Sequence, residues 1–125
     1  MPYFINNVNY VLMKTMVITG ASGGIGSEIV RAFAGSEWTV IAIDVRQPAE
    51  ELSDVVTLQC DLSDGKDVAR LLKEVQDKYS TIHVLINCAA AQNIGAVNTL
   101  DQDQWDQTFA VNVRAPWLLL KGLYP

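Results

Sequence analysis

The chain of 125 residues contains few of the side chains that bind metals or form disulfides. It has two cysteines, Cys60 and Cys88, and one histidine, His83. The cysteines lack a Cys-x-x-Cys spacing, and no second metal-binding residue stands at a zinc-type spacing from His83. The sequence therefore predicts neither a disulfide nor a metal site. We expect both cysteines to be small buried side chains in a reducing compartment, which predicts a cytoplasmic protein.

Positive charge is also scarce, since 9 Lys and Arg stand against 14 Asp and Glu and leave a net charge of −5. The basic residues are scattered and form no basic face or tail, which argues against nucleic acid or a membrane surface as a partner. No apolar run approaches the roughly 18 residues that span a bilayer. The beginning of the chain lacks the basic start and small-residue cleavage site of a secretory signal.

Half of the residues are hydrophobic, and a chain of this length suits one compact domain, which we place at residues 14–125. Residues 1–13 form an apolar arm that includes Tyr3, Phe4 and Tyr10. Three interpretations of the arm stay open: an extra strand, an oligomer contact, or upstream sequence translated from a misplaced start.

A glycine-rich run follows the first apolar stretch of this domain and reads Thr-Gly-Ala-Ser-Gly-Gly-Ile-Gly over residues 19–26. Gly20 permits a turn with positive φ, Gly24 lets the main chain approach a pyrophosphate, and Gly26 lets a following helix pack onto the strand. Unpaired N–H groups at the start of that helix would face the anion. The run predicts a phosphate-binding turn, although turns and caps alone also produce glycine clusters.

An acidic residue closes the second apolar stretch. Residues 38–43 are typical of a buried strand, and Asp44 follows them about twenty residues after the glycines. A carboxylate there can accept hydrogen bonds from both ribose hydroxyls of an adenosine. Like charge would disfavour a 2′-phosphate by about 1 to 4 kcal/mol, so the sequence predicts NAD and makes NADP the weaker ligand, a preference that Arg46 reduces. Alternatively, Asp44 caps the turn before Pro48.

Apolar stretches and amphipathic segments alternate along the rest of the domain. The helix after the glycines ends near Gly35, a third strand covers residues 55–60, a second helix begins at Ser63 or Asp64, and a fourth strand covers residues 84–86. Apolar strands joined by crossover helices imply a parallel sheet covered on both faces. We predict an α/β fold: a truncated, Rossmann-like doubly wound parallel sheet of about four strands in the order 3-2-1-4.

A last helix is predicted from about Gln104 to Leu123, and it contains Pro116. Because proline has no N–H, the main-chain carbonyl of Asn112 loses its helical donor and becomes free to bind a water molecule. Alternatively, the helix only kinks there and the side chain of Asn112 satisfies the disrupted turn. Apolar residues surround much of this helix, so we expect protein to cover it.

Five motifs stand in the order and approximate spacing of the short-chain dehydrogenases/reductases (SDRs), and the chain resembles this family from about Lys14 to Pro125. The motifs are residues 19–26, Asp44, Asp61-Leu62, Asn-Cys-Ala-Ala at 87–90 and Val-Asn-Val at 111–113. The resemblance implies hydride transfer between NAD(H) and an alcohol or carbonyl compound.

The resemblance also implies individual roles. The glycine loop with Ser22 would hold pyrophosphate and ribose, and Ile25 would lie near the nicotinamide. Asp61 and Leu62 would border the adenine, unless Asp61 only ends a strand.

The remaining implied roles belong to later motifs. Asn87 and Ala89 would line the nicotinamide ribose, unless Asn87 only holds neighbouring strands together. Ala90 stands where the family usually has glycine. Asn112 would hold, through its carbonyl, a water of the proton relay and would be the one catalytic residue present.

The resemblance implies that catalysis needs a tyrosine, a lysine four residues later and a serine, all after a fifth strand. The chain ends before that strand, and Tyr124 is followed only by Pro125. We therefore expect no independent catalysis. Three functions stay open: the amino-terminal half of an NAD-dependent SDR, a non-catalytic NAD-binding or regulatory module, and a folded interaction protein or remnant without a ligand.

The predicted strand order leaves one side of the fourth strand without a partner, beside an uncovered apolar helix. We expect a homodimer or larger homo-oligomer to bury the fourth strand, the helix at 104–123 or the arm.

Overall fold

The computed structural model describes residues 13–124. The predicted arm falls outside the described residues except for Met13, and Pro125 falls outside them as well. The three interpretations of the arm and the domain boundary at residue 14 therefore stay predictions.

Four parallel strands form one sheet. They are β1 (Lys14–Thr19), β2 (Trp38–Asp44), β3 (Val55–Gln59) and β4 (Val84–Asn87), in the order β3-β2-β1-β4. All three pairings are parallel. The predicted order is confirmed, and it brings the carboxyl ends of all four strands to one edge.

The helical elements are α1 (Gly24–Phe33), α2 (Gly65–Lys78), α3 (Gln102–Phe109) and α4 (Ala115–Leu123), with a single π-helical turn at Ala110–Arg114, hereafter the π turn. None of the helices between residues 13 and 124 combines the length and the apolar character needed to cross a membrane.

The two faces of the sheet carry different helices, as the doubly wound arrangement requires. On one face, the apolar side of α1 packs over Met16, Ile18 and Val40. On the other face, α2 and α4 pack over Val17 and Ile41. Beyond Lys14 in β1 and beyond Trp38 and Thr39 in β2, the side chains on both faces are buried. The two strands are therefore mostly apolar without alternation in the sequence.

Local capping sets the helix boundaries. The side chain of Asp64, not Ser63, accepts a hydrogen bond from the N–H of Lys66 and begins α2. Asp101 and Gln104 form a reciprocal capping box, so α3 begins slightly before the predicted start at Gln104. The third strand ends at Gln59, one residue earlier than predicted.

The predicted helix at 104–123 differs most from the observed one. The helical segment runs from Gln102 to Leu123, and its interruption is the π turn, in which the N–H of Ala115 donates to the carbonyl of Ala110. The π turn directly precedes Pro116, which cannot donate an N–H to the helix. One interpretation held that the side chain of Asn112 satisfies the disrupted turn. That interpretation is wrong, because the side-chain amide bonds to the main chain of Ala91 instead.

Candidate cofactor site

A cavity of about 730 Å³ lies at the carboxyl edge of the sheet. Four segments line it: the glycine turn before α1, the end of β2, the turn between β3 and α2, and the loop after β4. Gln107 and Val111 close it from the side of α3 and the π turn. Such a crevice is where open α/β sheets bind ligands.

Three glycines of the turn differ in what an added side chain would meet. Gly20 has φ +67°, and a Cβ there would lie 2.6 Å from the N of Ala89. A Cβ on Gly26 would lie 2.0 Å from the carbonyl oxygen of Gly20, so α1 can begin against the turn only with glycine. A Cβ on Gly24 would meet no protein atom within 4 Å. The fold explains Gly20 and Gly26, whereas Gly24 keeps space free in the cavity wall.

The start of α1 is open to an anion. Gly23 is its N-cap and has no side chain to satisfy the first N–H groups, and the first turn contains no acidic residue. Those N–H groups have no partners within the helix, and the helix dipole adds partial positive charge at the same place. Gly23 and Gly24 both line the cavity, so these groups can bind a phosphate there.

Asp44 ends β2 with its side chain only 7% exposed. Its Oδ2 accepts a hydrogen bond from the N–H of Ser22 at 2.9 Å, which ties β2 to the glycine turn. Its Oδ1 accepts from the N–H of Arg46 at 2.9 Å and lies 3.4 Å from the Nε of Arg46. The carboxylate also lines the cavity. Asp44 thus stabilises the turn after β2, as one interpretation held, and presents negative charge to the cavity.

The turn between β3 and α2 carries the second cavity carboxylate. Oδ1 of Asp61 accepts from the N–H and the Oγ of Ser63, at 2.9 and 2.7 Å. The N–H of Asp61 donates to Oδ2 of Asp67 at 2.8 Å. Leu62 is buried and lines the cavity beside Asp61.

Two titratable groups next to this turn have shifted pKa values. Burial, followed by the charge of Asp67, raises the pKa of the Cys60 thiol from 9.0 to about 12. The hydrogen bond from the N–H of Asp61, together with Arg70, lowers the pKa of Asp67. At neutral pH, Cys60 is therefore a protonated thiol and Asp67 a carboxylate.

Side-chain hydrogen bonds hold the loop after β4. Oγ1 of Thr19 accepts from the N–H groups of Cys88 and Ala89, both at 3.2 Å. Asn112 uses its Oδ1 and Nδ2 to bond the N–H and the carbonyl of Ala91, each at 2.8 Å. Nδ2 of Asn93 donates to the carbonyl of Gln104 at 3.0 Å.

Most of the residues predicted for the site meet at this cavity. Gly20, Gly24, Ile25, Gly26, Asp44, Asp61, Leu62 and Ala89 all line it. Ser22, Asn87 and Asn112 do not. Ser22 lies at a neighbouring pocket of about 110 Å³, with its Oγ 3.4 Å from the carbonyl of Arg46, and Asn87 is an exposed residue opposite Thr19. Asn112 hydrogen-bonds to Ala91, which does line the cavity.

Sequence reasoning missed Thr19, Asn93 and Gln107. Their hydrogen bonds or their positions in the cavity wall depend on segments far away in the chain. Of the three, only Thr19 belongs to a predicted motif, as the first residue of the glycine-rich run at 19–26. Within residues 13–124, no three His, Cys, Asp or Glu side chains lie close enough together to hold a metal ion.

Comparison with known proteins identifies the family. Residues 14–125 match the family model of the short chain dehydrogenases. The chain belongs to this family. The SDR fold is seen again in a short chain dehydrogenase from Leptospira borgpetersenii with bound NAD+, which is 25% identical, covers 88% of this chain and 44% of its own, and superposes with a TM-score of 0.80.

Two further SDRs show the range of the similarity. An uncharacterized oxidoreductase of Bacillus subtilis, YxjF, is 30% identical over 90% of this chain and 47% of its own length. A metagenomic short-chain oxidoreductase solved in complex with NADP is 28% identical, with a TM-score of 0.75, over 90% of this chain and 55% of its own. The chain spans about half the length of these SDRs, and its solved neighbours include complexes with NAD+ and with NADP.

Proposed function

We propose that the chain binds NAD(H) and forms the cofactor-binding part of an SDR oxidoreductase. One observation carries the proposal: no protein atom occupies the space beside Gly24 in the cavity wall, and the carboxylate of Asp44 lines the same cavity. A dinucleotide fits this arrangement because it has a diphosphate for the glycine turn and a ribose diol for the carboxylate.

The predicted residues divide among the parts of the cofactor. The pyrophosphate binds at Gly24 and the start of α1, Gly20 and Gly26 shape the turn that receives it, and Ile25 lies toward the nicotinamide. Asp44 accepts hydrogen bonds from the adenosine ribose, and Ser22 supports it through its N–H.

The remaining predicted residues line the two ends of the cofactor. Asp61 and Leu62 border the adenine, and Ala89 with Asn87 stands beside the nicotinamide ribose. We assign the main-chain carbonyl of Asn112 to the proton relay, while its side chain holds Ala91 in the adjoining wall.

The bound nicotinamide would accept or donate the hydride, while the protein must accept the proton of an alcohol or donate one to a carbonyl oxygen. Among the described residues, no serine, tyrosine or lysine lines the cavity. We therefore propose that hydride transfer requires a further segment carrying these groups. A non-catalytic NAD-binding or regulatory module is the alternative that this observation favours.

Two experiments separate the possible functions. Titration with NADH, followed by energy transfer from the tryptophans, tests for binding; absence of saturable binding would leave only the interaction protein or remnant without a ligand. Hydride transfer from secondary alcohols, measured alone and with an added carboxyl-terminal SDR half, then distinguishes an enzyme half from a binding module.

The preference for NAD over NADP is tested by comparing dissociation constants for NADH and NADPH. The charge of Asp44 opposes a 2′-phosphate, so we expect NADH to bind about tenfold tighter or more. Asp44→Asn should bring the ratio close to one. Arg46→Met should increase the preference for NADH, because the exposed guanidinium of Arg46 can pair with the phosphate.

Asp61→Asn is the matched control, since it removes a carboxylate from the same cavity away from the ribose. This variant should weaken both dinucleotides to a similar extent. Tighter binding of NADPH than NADH by the unaltered protein would contradict the assignment of Asp44.

We also propose that the protein forms a homo-oligomer through the helical segment from α3 to α4. Its outer side exposes a row of large apolar side chains, hereafter the apolar row: Trp105, Phe109, Val113, Trp117 and Leu120. The ring centroids of Trp105 and Phe109 lie 4.7 Å apart, so the two rings form a continuous surface.

The two free cysteines support our expectation of a cytoplasmic location.

A further inference from the structure

The π turn is attached to both walls of the cavity. On one side, Asn112 bonds the N–H and the carbonyl of Ala91 and holds the loop after β4. On the other side, the guanidinium of Arg114 donates to the main-chain carbonyl of Ser63 at 2.5 Å and holds the turn between β3 and α2. Arg114 is not among the residues assigned above to the cofactor.

Ser63 transmits this restraint to a cavity carboxylate. Its N–H and Oγ both donate to Oδ1 of Asp61, at 2.9 and 2.7 Å, so the position of Ser63 sets the orientation of that carboxylate. The main chain of Asp61 has a separate support, because its N–H donates to Asp67. Loss of Arg114 should therefore loosen Ser63 and the carboxylate while leaving the end of β3 in place.

We propose that Arg114 is a positioning residue for adenine recognition. Through Ser63 it holds the carboxylate of Asp61 where that group accepts a hydrogen bond from the amino group of the adenine. This inference rests on the NAD(H) site proposed above. Hypoxanthine carries a carbonyl oxygen in place of that amino group, and a fixed carboxylate facing it would be left without a donor.

The test compares binding of NADH and of its hypoxanthine analogue. We expect the unaltered protein to prefer NADH by about tenfold. Arg114→Met keeps much of the side-chain length but removes the donor, and it should reduce this preference about three- to fivefold. Arg114→Lys, which retains a donor, should recover part of the preference. Lys121→Met removes a positive charge from the same helical segment and should leave the ratio unchanged.

Amide hydrogen exchange of the ligand-free protein provides a readout independent of the cofactor. In Arg114→Met the N–H of Ser63 should exchange about tenfold faster, and the N–H of Ala91 should keep its rate. An unchanged preference for NADH would overturn the assignment of Arg114, whether or not exchange at Ser63 becomes faster. If the unaltered protein binds neither dinucleotide, the proposed function fails and adenine recognition fails with it. A normal NADH affinity with no preference over the analogue would overturn this inference alone.

Discussion

Gly24 and Gly26 begin the same helix, but a methyl group added to each would meet different surroundings. At Gly26 the new Cβ would lie 2.0 Å from the carbonyl of Gly20, which requires the turn or the helix to move. At Gly24 it would meet nothing within 4 Å. The two positions therefore separate a glycine required by the fold from one that we assign to the ligand.

We predict opposite effects for the two alanine variants. Gly26→Ala should lower the free energy of unfolding by several kcal/mol, on the order of an overpacked core. Gly24→Ala should leave it unchanged or raise it by up to about 1 kcal/mol, because alanine favours the helix, and should still weaken NADH at least about tenfold by obstructing the diphosphate. Urea unfolding and NADH titration of both variants measure these effects. Unchanged NADH affinity in Gly24→Ala would remove the main support for the diphosphate site.

Asp67 links the stability of the protein to acid pH. Its pKa is lower in the folded protein than the usual value near 3.9, because it accepts the N–H of Asp61 and pairs with Arg70. A lowered pKa means that this contribution to stability is present above the unfolded pKa and is lost as pH falls through the folded one.

We therefore predict that Asp67→Asn is less stable than the unaltered protein at pH 7 and that the difference shrinks below about pH 4. Urea unfolding across pH 3 to 7 measures it. Asp77→Asn is a control, since Asp77 pairs with Lys73 on the exposed side of the same helix. A stability difference that stays constant down to pH 3 would contradict the role of ionised Asp67.

At the level of elements, the sequence predicts the strands and helices well because their signals are local. Apolar runs mark β1 and β2, and Asp64 is one of the two predicted caps of α2. The capping box of Asp101, which begins α3, was not predicted. The π turn is different. Pro116 indicates that the helix is interrupted, but the form of the interruption depends on packing against the sheet and on a bond from Asn112 to a residue 21 positions earlier.

This bond gives a prediction for the loop after β4. Asn112→Ala removes both hydrogen bonds to Ala91 and should lower the free energy of unfolding by about 1 to 2 kcal/mol. Asn112→Asp should cost at least as much, because its carboxylate can accept from the N–H of Ala91 but repels the carbonyl. Urea unfolding and amide exchange at Ala91 measure both effects.

Asn98 supplies the matched control, since it is an exposed asparagine of the same loop. Asn98→Ala should change the free energy of unfolding by less than about 0.5 kcal/mol. Equal effects of Asn98→Ala and Asn112→Ala would show that the clamp on Ala91 contributes nothing to stability.

For the molecule as a whole, the strand order follows from the sequence, because crossover handedness and parallel pairing leave few arrangements, and the cavity at the carboxyl edge follows from the strand order. Eight of the predicted cofactor residues line one cavity for the same reason: the motifs end strands whose carboxyl ends meet. Thr19 and Arg114 were not predicted to support the cavity, since their hydrogen bonds join segments that the pattern of one chain does not relate.

The side of β4 that faces away from β1 has no partner strand within residues 13–124, and the apolar row stands exposed on the helices. Unpaired strand groups and exposed apolar side chains both favour association. We therefore predict that the purified protein is a homodimer or larger at micromolar concentration, as measured by light scattering.

Trp117→Glu should dissociate this assembly, because Trp117 lies in the apolar row at 56% exposure and burial of a carboxylate there is unfavourable. Ala32→Glu adds the same charge to an exposed position of α1, on the opposite face of the sheet, and should leave the assembly intact. A monodisperse monomer before any substitution would contradict the proposed homo-oligomer. Dissociation by Ala32→Glu but not by Trp117→Glu would move the interface to the face that carries α1.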